Sequence, residues 1–288
     1  MNLKKTKKSN IYYRNHKFAI YCLSEFEPST YFESGHQAKE RFSKSIHKPS
    51  GHSFVLKMAH YNKRKYNDFL LCLNEVMAGL IYTNVFKQYV PLIVLIYNDT
   101  NDKHYPLWFI GSKLEINLLP ISFKKSHYDW KTGYLVDCIM ANWDVILNNN
   151  SFLITKNNIN TTISKNRVIR IDLGGTMSFR ARGDDKESFI NKDPPIEHHM
   201  FLEYLPLFQK IRTPQLLKTS LTFIKNIYKI EHFKQLDNIY TSIYEKLLYN
   251  SIKYNVSKKM LDKGIYLIKN NTDIIKMRWI WYLDNHDF

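Results

Sequence analysis

The sequence predicts an α+β fold of two lobes, strand-rich over residues 18–112 and mainly helical over residues 113–288. Three observations carry this expectation: short β-type runs crowd the first part, a single helix-spaced segment interrupts them, and beyond Pro206 the apolar spacing is helical. With 288 residues and 44% hydrophobic side chains, the chain has enough apolar surface for a proper core.

The elements follow in order. Residues 1–17 hold six basic side chains and no acid, which reads as a disordered basic tail. Phe18–Leu23 and His52–Met58 are β-type runs, separated by turn residues around Ser34-Gly35 and Lys48-Pro49-Ser50-Gly51. From Asp68 to Phe86, apolar residues at 69, 72, 73, 76, 77, 80 and 81 have the 3.6-residue spacing of an amphipathic helix, with Asp68 suited to its N-cap. Leu92–Tyr97 and Leu107–Gly111 read as strands, and the two lobes meet near residues 111–117. Lys131–Asn142 is helical in pattern, and after a polar loop Arg167–Asp172 alternates like a strand ending at Gly174-Gly175. The helical remainder runs up to Ile274–Leu283.

Composition removes several function classes. The longest apolar run, Val90–Ile96, falls far short of the roughly 18 to 20 residues of a spanning helix, and no secretory leader pattern opens the chain. Cys22, Cys72 and Cys138 form no C-x-x-C pair, so a zinc ribbon or dithiol centre is not expected, and a reducing, cytoplasmic setting is. The formal charge is +16, yet residues 18–204 carry 22 basic and 19 acidic side chains, so most of the surplus lies in the tail and after residue 205. A nucleic-acid enzyme needs its surplus around its chemistry. Nucleic acid is therefore the weaker expectation, and an acidic protein or membrane surface meeting the basic tail the stronger one. His198-His199 has no third ligand at metal spacing, and the Tyr-Lys run Tyr61–Tyr66 reads as a loop.

Four short pieces carry possible chemistry. Lys57 ends the strand Phe54-Val55-Leu56-Lys57, and Glu75 follows 18 residues later on the next helix, where a carboxylate can fix the rotamer of a phosphate-holding ammonium. Asp144 precedes Asn149 by five residues, a spacing that lets an acid orient a hydroxyl while an amide oxygen reaches a metal ion. Asp172 leaves a strand at Gly174-Gly175, free to bind Mg²⁺ between phosphates. Each has a structural alternative: a snorkelling Lys57, a solvated Glu75, a loop-bracing Asp144, an Asn148–Asn150 turn, or turn chemistry at Asp172. Arg180-Ala181-Arg182-Gly183, just after the glycine turn, suits either a phosphate contact or a structural turn.

In combination, DCIMANWDVI followed by VIRIDLGGTMSFRARG, with SFVLKM and LNEVMAGLIY upstream, resembles the atypical kinase group that includes actin-fragmin kinase, HipA-type kinases and the phosphoinositide kinases. The likeness covers roughly residues 30–185. It implies a two-lobed protein kinase-like fold and an ATP- and Mg²⁺-dependent phosphotransferase acting on a hydroxyl, of a protein Ser or Thr in preference to a lipid. By position, it implies that Lys57 binds the α and β phosphates, that Glu75 holds Lys57 and that Asp144 is the catalytic base or hydroxyl positioner. Asn149 and Asp172 would be the metal ligands, with Asn150 the alternative to Asn149. Gly35 and Gln37 would lie over the phosphates, and backbone groups of Lys113, Leu114 and Glu115 would meet the adenine. The phosphate loop has one glycine in place of G-x-G-x-x-G, and the histidine and arginine of the H-R-D triplet are absent. The alternative is a pseudokinase or interaction module that keeps the fold and binds an acidic partner or nucleic acid through the tail and the C-terminal helices.

Overall fold

A computed structural model describes residues 16–28, 30–31, 42–57, 68–103, 105–115, 118–120, 128–142, 152–155, 167–180, 183–191, 213–227 and 230–285. Asp144, Asn149, Asn150, Gly35 and Gln37 lie outside the described residues, as do His198-His199 and Tyr61–Tyr66.

The first part is a six-stranded sheet built from β1 (Ile20–Cys22), β2 (Thr30–Tyr31), β3 (Phe42–His47), β4 (His52–Lys57), β5 (Ile93–Tyr97) and β6 (Trp108–Lys113). Their order is β1-β5-β6-β4-β3-β2; β1 runs parallel to β5 and the other neighbours are antiparallel. Alternation along β4 sends Phe54 and Leu56 into a small core with Phe26, Val94, Ile96 and Phe109. Val55 and Lys57 therefore take the opposite face, the one toward helix α1 (Asp68–Leu80).

β3 was not legible as a strand, because its polarity is inverted. Ser43, Ser45 and His47 are buried while Lys44 and Ile46 face outward. Partners meet these groups: Ser43 Oγ lies 3.0 Å from the Tyr105 hydroxyl, Ser45 Oγ donates to Glu27 O at 2.6 Å, and His47 Nδ1 lies 2.8 Å from Ser50 Oγ while its ring stacks on Tyr21 at 4.1 Å.

Helix α1 departs from the amphipathic expectation. Every residue from Cys72 to Leu80 is buried, Asn74 and Glu75 included. The sheet residues Ile93, Leu95, Trp108 and Ile110 share one core with the helix, and a long C-terminal helix, α6 (Lys258–Asp284), covers it from another side. Gly264 permits that crossing, since a Cβ there would stand 2.9 Å from Phe69 Cε1 and 3.2 Å from Leu73 Cδ2. After Leu80 the helix widens into a π turn, Ile81–Val85, which carries Tyr82.

The second part holds a three-stranded sheet, β7 (Leu118–Pro120), β8 (Phe152–Thr155) and β9 (Arg167–Arg170), of which only β9 was expected. The helices of this part are α2 (Tyr128–Ile139), which packs on β9, then α3 (Glu187–Ile190), α4 (Thr213–Ile227), α5 (Ile230–Asn250) and α6. Their apolar faces join the core under α1 through Leu135, Ile224, Ile243, Ile275 and Trp279, so the principal core is continuous across residue 113. The architecture is mixed α+β, as the sequence predicted. Among the described residues, no helix is long and apolar enough to cross a membrane, and the three cysteines are free thiols.

Candidate functional site

Lys57, Glu75 and Asp172 meet in a cleft between β4, α1 and the turn after β9. Alternation along β4 aims Lys57 at α1, and Glu75 lies on the turn of α1 that faces it. The Lys57 ammonium donates to Glu75 Oε2 at 3.2 Å and Oε1 at 3.4 Å, and also to Asp172 Oδ1. Exposure of the three side chains differs in an informative way. Glu75 is only 7% exposed and Lys57 20%, whereas Asp172 is 61% exposed and keeps carboxylate surface toward the opening. Burial alone would lower the Lys57 pKa, but the Asp172 and Glu75 carboxylates outweigh it and hold it above the ordinary lysine value. The same ammonium holds the Asp172 carboxyl below the ordinary carboxylate value, against a smaller upward push from burial.

The turn that presents Asp172 is strained and packed. Asp172 has φ 55° and ψ 65°, left-handed for a non-glycine residue, and opens the 3₁₀ turn Leu173–Gly175. Such a conformation costs on the order of 1 to 3 kcal/mol and persists only where the surroundings impose it. Gly174 sits at a close approach: a Cβ there would lie 3.0 Å from Glu75 Oε2 and 3.2 Å from Lys57 Nζ. Asn74, the neighbour of Glu75, donates to Thr176 O at 3.0 Å and accepts from Asn271 Nδ2 at 3.0 Å, tying the turn to α1 and α6 together.

The cleft is lined by Lys57, Glu75, Gly174, Arg180 and the apolar Leu71 and Ile110, among others. Arg180 thus belongs to the cleft wall, on the turn closed by Gly183 N donating to Arg180 O at 2.8 Å. Ala181 and Arg182 lie outside the described residues. Cys72 also lines the wall, but burial pushes its thiol pKa well up, with Glu75 adding to the effect, which disfavours the reactive thiolate. Lys113 ends β6, three residues beyond the cleft residue Ile110, and Leu114 and Glu115 follow it. The Lys113 and Leu114 amides donate to Leu92 O and Ser53 O, both at 2.8 Å, and Glu115 accepts from the Tyr89 hydroxyl at 3.4 Å.

A second polar cluster behind the Asp172 turn was missed by sequence reasoning. Arg170 and Asp137 are fully buried and paired in bidentate fashion, Nε to Oδ1 at 2.7 Å and Nη2 to Oδ2 at 2.8 Å. Arg170 Nη1 also donates to Gln88 Oε1 at 2.8 Å, Tyr82 donates to Asp137 Oδ1 at 2.8 Å, and Asn142 Nδ2 donates to the Tyr82 oxygen at 3.1 Å. Burial raises the Asp137 pKa and Arg170 draws it back. The available signal was a charge set inside an apolar run, in Leu135-Val136-Asp137-Cys138-Ile139 and in Val168-Ile169-Arg170-Ile171.

No group of three or more His, Cys, Asp or Glu suited to a metal ion occurs among the described residues. Asp172 supplies one exposed oxygen donor at the cleft mouth. No family model matches the chain, and no curated protein or solved structure is significantly similar to it.

Proposed function

We propose that the chain is a kinase-like phosphotransferase that moves the γ-phosphoryl group of ATP to a hydroxyl, on a protein Ser or Thr. The observation that carries this reading is the convergence of Lys57, Glu75 and Asp172, 115 residues apart at their extremes, on one cleft. A buried carboxylate clamping an ammonium, beside a partly exposed carboxylate on a glycine turn, is the polar apparatus phosphoryl transfer needs. In this reading Glu75 fixes the Lys57 rotamer, and Lys57 holds the α and β phosphates. Arg180 offers a further cation on the cleft wall. The exposed oxygen of Asp172 suits Mg²⁺, with Asn149 or Asn150 as the expected second ligand. When bound, Mg²⁺ neutralises charge on the phosphates. Asp144 orients the acceptor hydroxyl.

The test is Mg²⁺-dependent ATP turnover and autophosphorylation of wild type, Asp144→Ala and Asp172→Ala. Each variant is expected to lose about 10²-fold or more in turnover. A wild type that neither binds nor turns over ATP, with variants that match it, overturns the reading. A second reading, an interaction module, draws on the exposed apolar side chains at the end of α5 and in the turn after it, where Tyr249 is 87% and Ile252 94% exposed. ATP binding without turnover, insensitive to Asp144→Ala, favours that alternative.

A further inference from the structure

Lys186 lies in the hydrophilic run Asp184-Asp185-Lys186-Glu187, yet it is fully buried. Its ammonium donates to two backbone carbonyls from different segments, Ala141 O and Gly175 O. Gly175 ends the turn that begins at Asp172. Ala141 lies just past α2, in a cap where Asn142 N donates to Asp137 O at 2.8 Å and Ala141 N to Cys138 O at 3.0 Å. Beside this bridge the two segments also meet directly, Met177 N donating to Met140 O at 2.8 Å.

The seam is conformationally loaded on both sides. Ala141 (φ 49°), Asp172 (φ 55°) and Met177 (φ 51°) are three left-handed non-glycine residues, and Lys186 reaches the carbonyl of the first and the turn between the other two. Such backbone is kept only where fixed partners impose it. Lys186 is itself held from both directions, its N–H donating to Ser178 O and its carbonyl accepting from Phe189 N. A buried ammonium is a costly way to join two carbonyls, but its three donors can serve several acceptors at once, which an apolar side chain cannot.

We propose that Lys186 is a positioning residue. It locks the Asp172 turn against Ala141-Asn142, just past α2, and so sets where the Asp172 carboxylate stands in the cleft. The proposal rests on the phosphotransferase reading.

The experiment uses the full chain with Lys186→Met, which keeps side-chain length and removes the donors. Nucleotide affinity is expected to stay within a few-fold of wild type while turnover falls about 10²-fold, as misplacement of reacting groups by an ångström would produce. Adding Ala141→Gly to Lys186→Met should restore part of the turnover, because glycine holds φ 49° without assistance. Wild-type turnover in Lys186→Met, or loss of affinity and turnover in equal measure, overturns the proposal. Hydrogen exchange on wild type decides the lock by itself, whether or not the variant folds and whether or not the chain turns over ATP. The Asn142 and Met177 amides are expected to exchange through one shared opening, and protections differing by more than about 10²-fold would refute it.

Discussion

Two ion clusters sit at either end of the same short stretch of chain, Arg170 to Asp172, and they are built on opposite plans. The Arg170–Asp137 pair has no exposed surface; Tyr82 and Gln88 bond it directly, and Asn142 bonds Tyr82 in turn. The Lys57–Glu75–Asp172 cluster is clamped on one side and open on the other, with Asp172 61% exposed. The contrast extends to protonation: burial raises the Asp137 pKa, whereas the neighbouring ammonium lowers that of Asp172. A cluster sealed from solvent is out of a ligand's reach. An open one is within it. Proximity to a glycine turn therefore says less about chemistry than unused valence at the solvent boundary does.

The largest expected effect comes from breaking the closed cluster. Arg170→Met leaves the Asp137 charge buried without its main partner and should cost about 3 to 5 kcal/mol, lowering the unfolding midpoint by roughly 10 °C. Adding Asp137→Leu should recover most of that loss, since replacing both members of a buried pair is far cheaper than removing one. A double variant no more stable than Arg170→Met alone would contradict this account. Asp172→Ala should lower the midpoint far less, because Lys57 keeps Glu75.

The glycines beneath the clusters sharpen the same comparison at smaller scale. A Cβ at Gly133 of α2 would lie 1.8 Å from Arg170 Nη2 and 2.8 Å from Gln88 Oε1, inside the closed network. Gly133→Ala should therefore destabilise by about 1 to 3 kcal/mol in urea unfolding. At Gly174 the neighbours are side-chain ends at 3.0 and 3.2 Å beside an open cleft. Gly174→Ala should cost under about 1 kcal/mol and still reduce turnover about tenfold, by pushing Lys57 and Glu75 apart. The comparison fails if the two stability costs come out in the reverse order.

Much of the open cluster was legible because it obeys simple periods. Period two puts Lys57 opposite Phe54 and Leu56, the helical period places Glu75, and a carboxylate before Gly174-Gly175 marks a turn. What stayed hidden breaks those periods. β3 buries its serines and exposes Ile46, α1 is enclosed beyond one face, and Asp137 and Arg170 sit inside apolar runs whose pairing spans 33 residues. Lys186 is camouflaged completely, since a lysine among acids predicts solvent and only tertiary contact buries it. The α+β class could thus be read from local pattern, whereas the polar core depended on long-range pairing that local pattern does not encode.

The smallest expected effect, and the one that tests the contrast most directly, is the dependence of stability on pH. Asp172 has a lowered folded-state pKa, so its contribution is present above about 3.9 and is lost as pH falls through the folded value. Asp137 has a raised folded-state pKa, so between about 3.9 and that value the folded state binds more protons than the unfolded one, and acidification stabilises it. Lys57, raised in turn, contributes fully below about 10.4 and loses that contribution as pH climbs through its folded value. From pH 7 to pH 4, the stability deficit of Asp172→Asn relative to wild type should therefore shrink while that of Asp137→Asn grows, as read from urea midpoints at the two pH values. Deficits that move in the same direction would mean that the two carboxyl groups share one environment, and the division into a closed and an open cluster would be lost.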